Sequence, residues 1–474
     1  MIWLIRHYQA LAILCLMINF PSLAELIKKY DIAVPRYTSY PTMPYWDTEK
    51  FDNEKWIEAV RRVFNETNDT KGISLYIHLP FCESLCTYCA CNTRITKNHK
   101  IEIQYIRALL KEWEIYKKIF GKTPLIRELH LGGGTPTFFG PENLRWLTSY
   151  LLEDVNIHDD SKFSFEGHPN NTTVEHLKTL YGLGFTRVSF GVQDLDEKVQ
   201  KTVNRIQPFE NLQTVSNQSR AIGYESISYD LIYGLPFQTS ATILNTIKKV
   251  LTLKPDRVSF YSYAHVPWLK PGQRGYEDAD LPTDVVKRQL YETGRGLLKA
   301  EGYKDIGMDH FALPHDSLFQ AQFTGKLHRN FMGYTTNETD LLIGLGASAI
   351  SDAKYAYAQN LKKVEEYAEA ITNDTLAVFK GHLQTDQDLL LKKCILEIAC
   401  KGKVSQQNIL NVEDETILPC LHKLNQEGIL LSNMGGFQVT ELGRAFIRNI
   451  CSVFDLRMKS AQKEKAANIF SQAI

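Results

Sequence analysis

Ile73-Ser-Leu-Tyr-Ile-His-Leu-Pro-Phe-Cys-Glu-Ser-Leu-Cys-Thr-Tyr-Cys-Ala-Cys-Asn92 begins as an apolar, β-branched and aromatic run. It breaks at Pro80 into a loop holding four cysteines. Such a run packs well on a pleated surface, so a strand is expected over Ile73–His78. The same unit recurs at Ile126–Leu131, Lys162–Glu166, Arg187–Val192, Ser226–Ile232 and Arg257–Tyr263. Helical spacing separates the runs, as in Ile106, Leu109, Leu110, Trp113 and Tyr116, and later in Ile243, Ile247 and Val250. Strands alternating with helices imply a parallel sheet with helical crossovers, because parallel strands need a long connection. The fold class is therefore α/β, and six units suggest a barrel or partial barrel. Working residues in such barrels sit at the C-terminal strand ends. Here those ends carry Cys82, Gly132-Gly-Gly-Thr-Pro136, Glu166, Gln193-Asp194, Asp230 and Ala264-His265.

Outward from this frame, residues 25–71 read as an N-terminal arm. Arg36-Tyr-Thr-Ser-Tyr-Pro41 is unsuited to a helix interior, but residues 50–65 carry Trp56, Ile57, Val60 and Phe64 on one helical stripe. Residues 72–370 are expected to hold the barrel and its extension. Residues 371–474 form a mainly helical, winged-helix-like domain: a helix over Leu389–Ala399, a second bearing Leu418, Leu421 and Leu424, and a hairpin of Ile429–Leu431 with Gly436–Val439. Residues 1–24 are an apolar extension. Arg6, the run Ala10–Phe20 and Pro21-Ser-Leu-Ala24 resemble a secretory signal, too short for a membrane span. An oxygen-sensitive centre would be built in the cytosol, so the expectation is a start at Met17 and a cytoplasmic protein.

The chain has 474 residues, 54 Lys+Arg and 54 Asp+Glu. Zero formal net charge argues against broad binding to nucleic acid or anionic lipid. Of nine cysteines, four (Cys82, Cys86, Cys89, Cys91) fall within ten residues, and Cys15, Cys394, Cys400, Cys420 and Cys451 are scattered. That is not a disulfide framework.

Cys82, Cys86 and Cys89 are spaced C-x₃-C-x₂-C. A loop that short can wrap one cubane and bind three of its irons, whereas iron–sulfur clusters usually take four cysteines. The remaining iron can then be chelated by S-adenosylmethionine, and reduction releases a 5′-deoxyadenosyl radical whose orientation the protein controls. A structural zinc using the three thiolates with Cys91 or His78 is the alternative, although zinc more often takes paired C-x₂-C units. Cys91 lies too near Cys89 to cap the same cubane easily. The Gly132–Gly134 backbone can approach a ligand closely. Glu166, Gln193, Arg205 and Asp230 are candidate polar contacts on the same barrel face.

These segments together resemble the oxygen-independent coproporphyrinogen III oxidases, over roughly residues 26–457. The segments are Pro35-Arg-Tyr-Thr-Ser-Tyr-Pro-Thr42, the cysteine loop with its Cys-x-Cys ending, Gly132–Thr137, Gly191-Val-Gln-Asp194, Val203-Asn-Arg205, Asp230–Pro236, Tyr263-Ala-His265, Gly307–Phe311, His328-Arg-Asn-Phe331, Ala347–Ile350 and Arg448–Cys451. The resemblance implies a partial (β/α)₆ radical S-adenosylmethionine barrel. It also implies oxidative decarboxylation of two propionates of coproporphyrinogen III to vinyls, giving protoporphyrinogen IX in haem synthesis. It implies one [4Fe–4S] cluster on Cys82, Cys86 and Cys89. Tyr76, Tyr88, Gly133, Gly134, Thr135, Glu166, Gln193, Arg205, Asp230, Ala264 and Ile350 match positions that contact S-adenosylmethionine, and Tyr76, Glu166 and Arg205 are the catalytic candidates. A second S-adenosylmethionine nearby, a tetrapyrrole substrate, a low-potential electron donor, an electron acceptor and a monomeric state are also expected, with no nucleic acid or membrane partner.

Two positions depart from the family pattern. Met332 stands where an amide is common, and a thioether is a weak acceptor at best. Glu166-Gly-His-Pro-Asn170 replaces the usual Glu-x-Asp-Pro-Arg, keeping the glutamate and losing an acid and a cation. The competing readings are a haem-binding chaperone paralogue, which usually lacks the Cys-x-Cys ending and the arm, and a radical enzyme acting on another substrate.

Overall fold

Gly72, at φ +67°, ends one helix and turns the chain into the sheet. The computed structural model describes residues 21–268 and 270–463. The apolar run through Phe20 and the Met17 start lie outside the described residues, as does the end of the polar tail. Of the signal-like end, Leu23 and Ala24 open a helix, Leu23–Tyr30, capped by Ser22 and Glu25.

Six parallel strands follow in the expected order: β1 (Ile73–Leu79), β2 (Leu125–Gly133), β3 (Asn156–Gly167), β4 (Phe185–Gln193), β5 (Ser226–Tyr233) and β6 (Arg257–Ser262). They pair sequentially in one twelve-stranded sheet. Later strands extend both sides. β7 (Lys304–Gly307) and β8 (His310–Ala312) add antiparallel beyond β6. β11 (Leu342–Leu345) pairs parallel with β1, and β12 (Ile350–Asp352), β13 (Ala356–Asn360) and β14 (Val378–Leu383) follow antiparallel. A short hairpin, β9 (His328–Asn330) and β10 (Gly333–Thr335), stands apart. The sheet ends on β14 and β7 without closing, so the barrel is partial.

The crossover helices bury the faces that the periodicity marked. Helix α1 (Asn53–Lys71) buries Trp56, Val60, Val63 and Phe64, and α2 (Ile101–Phe120) buries Ile106, Leu109, Trp113 and Tyr116. On β1, Ile73, Leu75, Ile77 and Leu79 are fully buried. Tyr76, on the other face, is half-buried, which sets one side of the strand against helices and turns the other inward.

One buried acid ties this frame together. Glu112 on α2 is fully buried. It accepts from Gly346 N (2.8 Å), Asn360 Nδ2 (2.7 Å) and Tyr367 Oη (2.6 Å). Burial pushes its carboxyl up to about 7, against the pull of those three donors. An acid whose folded pKa is raised costs stability as pH climbs from its ordinary value of 4.5 through 7, because only the unfolded chain ionises freely in that window. The cost saturates above it at about 3 kcal/mol. Glu112→Gln removes the titration. Its Tm relative to the wild type is therefore expected to rise between pH 5 and pH 8 in anaerobic thermal melts, and an unchanged difference would refute the assignment.

The described residues divide into two compact units: Thr38–Leu389, and residues 21–37 with residues 390–463. The sequence reading drew its boundary at residue 371, but β14 is an edge strand of the large sheet and stays with the barrel. The arm also divides. Its first part belongs to the C-terminal unit, where Arg448 donates to the Val34 and Pro35 carbonyls and Asn449 to the Tyr30 carbonyl. In that unit the expected hairpin forms (Leu430–Asn433 with Gly436–Val439), and Lys403–Ser405 adds a third strand that the sequence did not suggest. Among the described residues, no helix is long and apolar enough to cross a membrane.

Candidate active site

Past β1, Phe81–Cys82 pairs with Arg94–Ile95 and closes the cysteine loop on itself. The Gly132–Thr135 turn straps this loop down: Gly134 N donates to the Leu79 carbonyl (2.9 Å) and Thr135 N to the Phe81 carbonyl (3.1 Å). Only glycine fits here. A Cβ on Gly133, whose φ is +111°, would lie 2.6 Å from the His78 ring, and one on Gly134 would lie 2.6 Å from the Pro80 carbonyl. The turn that follows β2 is thus built to the shape of the strand end beside it.

The loop and the strand ends enclose a cavity of about 500 Å³. Of the expected site residues, Cys82, Cys86, Cys89, Tyr88, Gly133, Gly134, Thr135, Glu166, Gln193, Arg205 and Asp230 all line it. Tyr76, Ala264 and Ile350 do not. Tyr76 sits just behind: its hydroxyl shares a hydrogen bond with His78 Nδ1 (3.0 Å), and its ring stacks on His130. The Ala264 carbonyl accepts from Gln273, and Ile350 lies on β12.

Electrostatics divide the cavity into a basic and an acidic part. Arg205 donates to the Gly191 carbonyl (2.6 Å) and reaches Cys86 Sγ at 3.7 Å. Cys82 Sγ lies 3.2 Å from Thr135 Oγ1, and burial pushes its thiol up to about 11. The neighbouring Cys91 and then the Lys270 and Arg205 charges hold the Cys89 thiol down at about 6 despite burial. Opposite, Glu166 accepts from Gly133 N (3.1 Å) and faces His130 at 3.6 Å. Its side chain is 44 % exposed, but into the cavity. Burial raises its pKa, but His130 and the Gly133 N–H outweigh that and leave it below the usual carboxylate value. Asp230, bonded by Ser189 Oγ (2.9 Å), is pushed up to about 6 by burial and then by the Glu166 charge. Two carboxyls in one cavity therefore hold different proton affinities.

Several lining residues escaped the sequence reading. A Cβ on Gly191 would meet Gln193 Nε2 at 2.8 Å and Arg205 Nη2 at 2.9 Å, so a larger residue there would displace the ends of both side chains. Its place two residues before the strand-end Gln193 was the available signal. Tyr261, at the end of β6, separates this cavity from a smaller polar one inside the barrel, of about 150 Å³, and the two share Glu166 and Asp230. Met332 lines that inner cavity. Of the altered motif, His168 lines the main cavity, as does Asn170, but the Asn170 amide is committed to the Ile206 carbonyl and to Asn211.

Three thiols from one loop rim a cavity of molecular size. Among the described residues, no three Cys, His, Asp or Glu side chains converge on a single point as one metal ion would need. A rim of soft donors with space beyond it fits a cluster with one open corner.

Residues 76–250 match the Radical SAM superfamily. Over nearly its whole length the chain is similar to curated oxygen-independent coproporphyrinogen III oxidases. It is 37 % identical to the Pseudomonas aeruginosa protein across 94 % of this chain and 98 % of that one. It is 38 % identical to the Escherichia coli protein across 93 % and 96 %. The chain belongs to the oxygen-independent coproporphyrinogen III oxidase family. The solved structure of coproporphyrinogen III oxidase (HemN) from Escherichia coli superposes with a TM-score of 0.85, covering 93 % of this chain and all of that one at 37 % identity. As a radical S-adenosylmethionine oxidase the chain uses a [4Fe–4S] cluster and S-adenosylmethionine, and the cavity has the donors and the room for both.

Proposed function

We propose that this chain converts two propionate groups of coproporphyrinogen III to vinyls, giving protoporphyrinogen IX, with Cys82, Cys86 and Cys89 as the cluster ligands. One observation carries the reading. In a chain alike over nearly its whole length to these oxidases, three thiols of one loop and the polar groups of Glu166, Gln193, Arg205 and Asp230 face one cavity. When bound, the cluster and S-adenosylmethionine supply one-electron reduction and an organic radical able to remove hydrogen from a propionate arm.

The chain's own residues do the positioning. The Glu166 carboxylate, ionised at neutral pH, accepts hydrogen bonds from hydroxyl or ammonium groups of S-adenosylmethionine. The Gly133–Thr135 backbone gives that ligand a close wall, with Tyr88, Gln193 and Asp230 around it and Tyr76, Ala264 and Ile350 behind. Arg205 brings a positive charge beside Cys86. The pocket walls keep water away from a reactive intermediate. A second S-adenosylmethionine fits the family pattern, with Met332 offering only a weak acceptor where an amide is usual. The electron donor and acceptor are separate molecules and the chain acts as a monomer. A cytoplasmic location agrees with eight described cysteines that are all free thiols.

The test is an anaerobic assay. Reconstituted protein with S-adenosylmethionine, a low-potential reductant, an electron acceptor and coproporphyrinogen III should yield protoporphyrinogen IX with release of two carbon dioxide molecules. Aeration for an hour should remove more than nine-tenths of that activity. Turnover that survives air, or its absence under strict anoxia, counts against the reading.

A further inference from the structure

We propose that His168, with Lys97 lining the same cavity, provides a subsite for one carboxylate arm of the tetrapyrrole, an assignment that rests on the oxidase reading above. His168 stands one residue past the end of β3. Its Nδ1 accepts the Asn170 backbone N–H at 3.1 Å, which places the ring proton of a neutral imidazole on Nε2. Among the described residues no acceptor pairs with that Nε2–H, and the ring lines the cavity. Burial, followed by the nearby Arg205 charge, presses the His168 pKa down to about 2, so the ring stays neutral and remains a donor through the physiological range. Lys97 lines the same cavity, is exposed, and makes no ion pair among the described residues.

The acids that face this wall are accounted for. Glu83 also lines the cavity and is drawn to His99 Nε2 at 3.6 Å. Glu166 and Asp230 occupy strand ends and would repel a carboxylate. An anionic arm is therefore held beyond the strand ends, where uncommitted donors lie, and is kept off the acidic floor. The substrate class is a multiply carboxylated tetrapyrrole, and the subsite recognises an arm that anchors rather than one that reacts. In this chain His168 offers a neutral donor and the Asn170 amide is committed to the Ile206 carbonyl, so the uncommitted positive charge toward the arm is that of Lys97.

Fluorescence titration of the anaerobically reconstituted holoenzyme with coproporphyrin III and with its tetramethyl ester tests this. The wild type should bind the acid at least tenfold more tightly than the ester. His168→Leu and Lys97→Ala should each lose about tenfold for the acid and nothing for the ester, and His168→Gln, which keeps a donor, should retain most of the affinity. The change that S-adenosylmethionine induces in the cluster's EPR signal should be the same in all. Acid binding unchanged in both variants overturns the subsite. Equal loss of acid and ester, or an altered EPR response with porphyrin affinity kept, assigns these residues elsewhere and also overturns it. A wild type that binds neither porphyrin defeats the oxidase reading along with the subsite.

Discussion

Each of Cys82→Ser, Cys86→Ser and Cys89→Ser is expected to abolish the broad visible absorbance of the reconstituted protein and to lower activity below detection, whereas Cys91→Ser keeps the absorbance. The three thiols rim one cavity, and a hydroxyl is a much poorer ligand for cluster iron than a soft thiolate. A cubane already one protein ligand short has no spare donor, so losing a second removes its hold. Cys91 lines the same cavity, two residues beyond Cys89, too close along the chain to cap the same cubane easily. Its replacement should shift the cluster's electronic spectrum without emptying the site. Far-UV circular dichroism separates these outcomes from unfolding, since all four positions lie on one loop outside the core. Loss of absorbance in the Cys91 variant alone would overturn the ligand assignment.

Gly134→Ala should reduce kcat/KM at least a hundredfold in a protein that still folds. The added carbon would lie 2.6 Å from both the carbon and the oxygen of the Pro80 carbonyl. These are backbone atoms, so relief requires the cysteine loop to shift. Moving it also lengthens the Gly134 N–H bond to Leu79 and the Thr135 bond to Phe81. A displacement near 1 Å at a reacting centre costs on the order of a hundredfold in rate. Gly182→Ala is the control, because nothing lies within 4 Å of a Cβ there. The comparison of cluster content, binding of S-adenosylmethionine and rate locates the damage. Full activity in Gly134→Ala would show that the strap does not set the loop.

The six barrel strands were legible because both faces of a parallel strand are covered, so each appears as an apolar run closed by a turn. Ile73–Leu79 and Ser226–Tyr233 lie within one residue of where the run alone put them. β3 was less legible: its first residues, Asn156–Ser161, are polar apart from Ile157 and mostly exposed, and only sheet pairing identifies them as strand. The strand Lys403–Ser405 has three residues and no periodicity to read. β7 and β8 were hidden in the mixed segment 270–360 for the same reason.

Sequence by itself determined the alternation of strands and helices, the three-thiol loop, and the strand-end positions of Glu166, Gln193 and Asp230, since each is written in local spacing. Only the tertiary structure decided which groups are free to act. Asp194, next to Gln193, is buried and spent on Gln238 and Thr246, Asn170 is spent on neighbouring loops, and His168 keeps a donor unspent. It also set the two carboxyls of the site apart in proton affinity and packed the Gln193 and Arg205 side-chain ends against Gly191. The reason is physical: spacing along a chain fixes which face a side chain occupies, but hydrogen-bond partners, desolvation and the room for a Cβ come from segments distant in sequence.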